Sequence, residues 1–330
     1  MAAQVRLTSP CAPSRCGQER SRHVHEGVIG GYTSRSASLF EGTGVDPVIR
    51  AFAMPANSLP EIREGDAPPE VAHIYEDIRR CMRLPLVNLI YRHFATLPDV
   101  LPRVWGLVRA MMLSGELDAA LGRMNRELPI PQLASFEPSM LADLGKDNQV
   151  AIRRVIETYN RGNGLNLIAL TAIDLGVRQR RLRALEFMFS EAQPDHKGLP
   201  FPRLLKFAEL APKTADQVAN IARLHGSGSG VVPSLYLHLA NWPEFLIAVG
   251  SRIGPLLKDG SIEHARRTAV EFAYIEAEGL VLTLPSGPVI AELPEQAIST
   301  LERFIRQVIP EMLLIGLALE NALSRQDSNS

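Results

Sequence analysis

From Pro69 onward the apolar residues return with the period of an α-helix. Val71, Ile74, Ile78 and the Cys81/Met82 pair share one face of "EVAHIYEDIRRCM". Val100, Leu101, Val104, Leu107, Val108 and Met111 do the same in "PDVLPRVWGLVRAMM". In "TADQVANIARLHG", Thr214 and Gln217 have capping-box spacing and Gly226 is a stop. "EQAISTLERFIRQVIPEMLLIGLALENAL" predicts a helix kinked at Pro310. In "ETYNRGNGLNL", Gly162 and Gly164 are expected to loosen an apolar helix and free backbone groups, with Asn160 and Asn163 beside the break. The bland alternative is a helix break capped by asparagine. Period-two patterns are scarce. Gly279 to Pro294 reads as a loop or short hairpin, because prolines interrupt pairing. The pattern therefore predicts an all-α protein.

The pattern also repeats. "LVNLIYRHFATLPDVL" and "VPSLYLHLANWPEFL" share Tyr-x-His-x-Ala and then Pro-acidic-x-Leu at a constant offset of 145 (236 − 91). Tyr91 answers Tyr236, His93 answers His238, and Pro98 answers Pro243. Ile152, Val155 and Leu167 answer Ile298, Leu301 and Leu313 at an offset of 146 (298 − 152). Gly164 falls opposite Pro310, so both long helices are expected to be disturbed at one place. The sequence predicts two tandem helical repeats forming a pseudo-dimer, 54–200 and 201–330, after a poorly ordered extension, 1–53. Met54 is an alternative start. The extension has basic residues but no apolar h-region, so a secretory signal is not expected.

Composition narrows the function classes. Over 330 residues the formal net charge is −1, which gives no electrostatic case for nucleic acid or an anionic membrane. No apolar run is long enough to span a bilayer. Three cysteines, Cys11, Cys16 and Cys81, form neither a disulfide framework nor a Cys-x-x-Cys, and fit a reducing cytoplasm. Zinc-ligand spacing is absent, and His23 and His25 lie in a Ser/Arg/Gly-rich stretch, so no metal is expected. His93 and His238 read as structural histidines, each bonded to a neighbouring segment, and Tyr91 and Tyr236 as core residues with bonded hydroxyls. "HGSGSG" lacks the lysine of a phosphate loop and reads as a flexible connection. Ser234 has no evident activating base.

The order "YEDIRRCMRLPLVN", "TLPDVLPRVW", "YNRGNGLNL", "YLHLANWPEFL" resembles the group I α-haloacid dehalogenases, the DehI type, across residues 55 to 325. The resemblance implies two all-α repeats with the active site between them. It implies hydrolytic removal of halide from a small 2-haloalkanoic acid, with water activated by an Asp and no covalent ester. It implies no cofactor, and a small carboxylic acid as the partner. A homo-oligomer is left open. Asn163, with Asn160 beside it, falls on the polar holder of the water. Ser234 precedes the base and Tyr236 follows it. Leu86 and Leu89 fall on the pocket wall, and Ser114 and Asp118 on polar positions after Trp105. The departure is at the base itself. Leu235, seven residues before Trp242, stands where the resemblance requires Asp, and leucine accepts no proton. The alternative is a homologue that binds a small carboxylate with altered or absent catalysis.

Overall fold

Proline and left-handed residues decide where the first helices start and stop. The structure, a computed structural model, describes residues 59–179, 201–225, 232–283 and 293–327. The 1–53 extension with His23 and His25, the Gly226–Gly230 connection and residues 284–292 lie outside the described residues. Helix α1, Pro69–Met82, begins on a proline whose fixed φ suits a first turn. It ends at Arg83, where a φ of 55° lets the N–H close on the carbonyls of Arg79 and Arg80. Helix α2, Leu89–Phe94, is short, and its N-cap Asn88 makes no side-chain cap. Gly115, at φ 76°, turns the chain from α3, Val100–Ser114, into α4, Glu116–Glu127.

Helices α5, Pro138–Leu144, and α6, Lys146–Arg178, follow. Then come α7, Pro212–Leu224; α8, Ser234–Leu239; α9, Pro243–Lys258; and α10, Ser261–Thr283. The last two are α11, Glu295–Arg303, and α12, Ile309–Asp327. Among the described residues every regular element is helical. None is long and apolar enough to cross a membrane.

Three local expectations are corrected. Helix α7 starts at Pro212, so Thr214 lies inside its first turn and forms no capping box. Helix α10 runs on to Thr283 because Ala277, Leu280 and Val281 still bury against the core, so the start of the expected loop is helical. Most consequentially, α6 passes through Gly162 and Gly164 without a break. Those glycines serve close packing. A Cβ on Gly162 would lie 2.9 Å from Asn88 Nδ2, and one on Gly164 would lie 2.4 Å from Leu121 Cδ1. Before Pro310 the chain does depart from α geometry, in a widened π turn over Phe304–Val308. Pro310 has no N–H for the carbonyl of Arg306, four residues back. Arg266 on α10 donates to that carbonyl instead.

All described residues belong to one compact unit, Asp46–Ser330. Its interior has two apolar clusters. One joins α1–α4 to the second part of α6 (Leu165 to Ile173), α10 and α11. The other joins α5 and the first part of α6 (Ile152 to Tyr159) to α7–α9 and the end of α12. The clusters do not follow the sequence halves, because α6 and α12 each run from one into the other. Burying an aliphatic or aromatic side chain contributes roughly 1.5–3 kcal/mol, so both long helices are held at both ends. Between the clusters α6 becomes polar, with Asn160, Asn163 and Asn166 all buried. The candidate site lies on that seam.

Candidate functional site

A cavity with about 460 Å³ of empty space, part of it open to solvent, sits where α6 and α12 pass each other. Asn88, Leu89 and Ile90 line it from the start of α2, and Pro233, Ser234 and Leu235 from the start of α8. Helix α6 contributes Tyr159, Asn163 and Asn166, spaced to share one helical face. The π turn gives Phe304 and Val308, and α12 gives Ile309 and Met312. Among the described residues the lining contains no carboxylate.

Its polar groups are oriented from behind. Ser234 accepts a hydrogen bond from Arg92 Nη2 at 3.0 Å and is also hydrogen-bonded to the Tyr159 hydroxyl. Arg92 is itself buried, and its Nε donates to Glu61 at 2.6 Å. The Tyr91 hydroxyl donates to Asn166 Oδ1 at 2.7 Å. Tyr91 is fully buried, so this acceptor satisfies its proton and fixes the Asn166 amide. Asn166 Nδ2 then has no partner, although Asn166 is only 1% exposed. Asn88 Oδ1 also lacks a partner. A buried polar group left unpaired costs about 1–3 kcal/mol, so such groups mark a place where a ligand or water completes the bonding.

A second feature lies against this wall. The Tyr159 hydroxyl is 2.7 Å from His238 Nδ1, and His238 Nε2 is 3.1 Å from the carbonyl of Pro202. A carbonyl only accepts, so Nε2 carries the proton and Nδ1 accepts from Tyr159. Burial, assisted by the charge of Arg92, lowers the pKa of His238 to about 4. Burial likewise holds the Tyr159 phenol well above its ordinary value. At neutral pH the pair is therefore uncharged. His93 bonds the carbonyl of Pro60 at 2.8 Å in the corresponding way.

Outside the cavity a wider cleft of about 690 Å³ is lined by residues including Glu61, Arg63, Lys206 and Phe207. It shares Leu89 and Ser234 with the inner cavity. Arg63 pairs with Glu61 at 3.0 Å, and Lys206 lies 3.9 Å from Asp66. Each cation thus has a carboxylate beside it, and the cleft carries charge of both signs.

Of the residues singled out from sequence, Asn163, Ser234, Leu235 and Leu89 line the cavity together. The others stand elsewhere. Asn160 faces α12, where its Nδ2 donates to Glu320 at 2.6 Å and its side chain lies over Gly316. The reason is rotation: one residue after Tyr159, it falls outside the face shared by Tyr159, Asn163 and Asn166. Leu86 is buried in the second apolar cluster. Ser114 is exposed at the end of α3, bonded to the carbonyl of Met111 at 2.8 Å. Asp118 pairs with Arg161 at 2.8 Å. The Tyr236 hydroxyl meets His225 Nε2 at 2.7 Å in the core. Asn88, Asn166 and Tyr159 were not singled out. The signal for two of them was present: Tyr159 and Asn166 flank Asn163 at helical spacing.

Comparisons with known proteins agree with this architecture. No family model matches the chain. A configuration-inverting 2-haloacid dehalogenase of Alcaligenes xylosoxydans xylosoxydans is 25% identical over 233 residues, which cover 67% of this chain and 77% of that protein. A solved structure of a D-2-haloacid dehalogenase mutant with D-2-CPA matches with a TM-score of 0.57 at 18% identity, covering 82% of this chain and 96% of its own. A D-2-haloacid dehalogenase with L-LA matches with the same TM-score at 19% identity and the same coverage. In sequence and in fold, the chain resembles the 2-haloacid dehalogenases of the DehI type.

Proposed function

We propose that this chain is a 2-haloacid dehalogenase-type protein whose cavity takes a small 2-substituted carboxylic acid, and which removes halide only very slowly or not at all. One observation carries the reading: Leu235 lines the cavity where the resemblance calls for Asp, and no carboxylate among the described residues lines it. Direct attack of water on the carbon bearing the halogen needs a group that takes one proton from that water. Two other needs of the reaction are supported by the lining. Asn163 and Ser234 offer polar contacts, and Leu89, Ile90, Leu235 and Met312 keep bulk water away. A thermal shift tests the binding half, since a ligand of the native state raises its melting temperature. Racemic 2-chloropropionate should raise it with no chloride released. No shift at millimolar acid would contradict the reading.

The tandem repeat is part of the same proposal. Asn88, Leu89 and Ile90 answer Pro233, Ser234 and Leu235 at an offset of 145 (233 − 88), and Asn163 and Asn166 answer Ile309 and Met312 at 146 (309 − 163). Equivalent positions from both halves lining one cavity support a pseudo-twofold axis through it. Helices α2 and α8 also begin at an offset of 145 (234 − 89), as do α4 and α10 (261 − 116).

A second reading is favoured by the Tyr159–His238 pair. A water bonded to Tyr159 would pass its proton to the phenol oxygen as the phenol proton moves to His238 Nδ1. The low basicity of His238 weakens this relay. Retention of measurable turnover that disappears in Tyr159→Phe would establish it.

A further inference from the structure

We propose that the cavity selects a small carboxylic acid whose 2-substituent is a hydroxyl rather than a halogen. The inference rests on the small-acid reading above and sharpens its ligand. Three asparagines line the cavity. Asn166 Nδ2 is an unpaired donor, set by the Tyr91 hydroxyl on its Oδ1. The Asn88 side chain makes no hydrogen bond among the described residues and does not cap its own helix. The Asn163 side chain lines the cavity on the same face of α6 as Asn166.

An amide brings both an N–H donor and a carbonyl acceptor, whichever way it is turned. Three amides therefore offer acceptors as well as donors to whatever lies between them. A carbon-bound halogen donates no hydrogen bond, so beside it a buried amide carbonyl stays unpaired. A hydroxyl donates one bond and accepts others, and completes both kinds of group. The acid's carboxylate accepts only, and the free Asn166 Nδ2 is a donor suited to it, with Ser234 beside it in the lining. The opposite wall, Leu235, Ile309 and Met312, takes the alkyl part. A site built to hydrogen-bond a hydroxyl discriminates strongly against the analogue that lacks it, since its own polar groups are then left unpaired.

Titration calorimetry on the full chain tests this with D-lactate, L-lactate, racemic 2-chloropropionate and propionate. At least one lactate enantiomer should bind about tenfold or more tightly than both of the other acids. Asn88→Leu, close in shape, should abolish that preference. Asn88→Ala serves in the same test if the leucine variant does not fold. Equal or tighter binding of 2-chloropropionate or propionate would overturn the hydroxyl inference and leave the small-acid reading standing. Persistence of the preference in the folded Asn88 variant would overturn it too. Failure of every acid to bind at millimolar concentration would overturn the small-acid reading itself.

Discussion

The two walls of the cavity occupy answering positions in the chain yet differ in chemistry. The wall from α2 and α6 carries Asn88, Asn163 and Asn166. The wall from α8 and α12 puts Pro233, Ile309 and Met312 at the answering positions, with Ser234 its only hydroxyl. The first wall can hold a polar ligand and a water. The second would have to take a proton, and it presents Leu235. On the proposed reading, holding and activating are separated: the polar wall holds the acid, and the answering wall offers no group that takes a proton from water.

The largest expected effect comes from giving the second wall a base. Leu235→Asp should raise halide release from 2-chloropropionate by about two to four powers of ten. Leu235 is 1% exposed, so burial will push the new carboxyl's pKa up. The base works only when ionised, so activity should climb with pH, measured as chloride release from pH 6 to 10. Activity in the variant that ignores pH would mean that the aspartate is not the base.

The histidines behind the two walls sharpen the contrast next. His238 is held neutral, its pKa lowered to about 4 from the ordinary 6.5, and burial lowers that of His93 as well. The unfolded chain therefore binds more protons than the native one between these values, and stability falls as the pH drops from 6.5 towards 4. For His238 the loss approaches about 3 kcal/mol by the lower limit, and there is none above pH 7. Urea denaturation at pH 7 and pH 4.5 measures it, and His238→Gln should flatten the difference.

Smaller effects probe how closely α6 and α12 approach. A Cβ on Gly316 would lie 1.8 Å from Asn160 Oδ1, so Gly316→Ala should cost about 1–3 kcal/mol in urea denaturation. Gly164→Ala should cost less, since its Cβ meets only the movable tip of Leu121. The smallest effect is expected from Tyr91→Phe, which leaves Asn166 Oδ1 without its donor at a cost of about 1 kcal/mol. It should weaken lactate binding more than propionate binding, by calorimetry.

The helical class was legible because apolar periodicity reports burial directly. Helix α1, the short α2 and α8, and the long α6 and α12 all follow from it. The role of Gly162 and Gly164 was not legible. A glycine in a helix reads as weakness until the neighbour that needs the space, Asn88 or Leu121, is placed beside it. Asn163, Ser234 and Leu235 were found because a local motif carries them. Asn160 follows Tyr159 by one residue, about 100° of rotation on a helix, and so faces α12 instead of the cavity. Ser114 and Asp118 were placed by counting from Trp105, and counting does not see that α3 ends at Ser114 and turns away. Asn88 and the Tyr91–Asn166 bond depend on contacts between residues far apart in sequence, which one chain without relatives does not reveal.

The central claim is that the natural cavity holds a small acid and lacks a base. Chloride release from D- and L-2-chloropropionate by the unmodified protein, assayed beside Leu235→Asp at pH 9, tests it most directly. The account predicts release at least about a hundredfold below that of the variant, for both enantiomers. Brisk turnover by the unmodified protein, matching or exceeding the variant, would contradict it and show that another group activates the water.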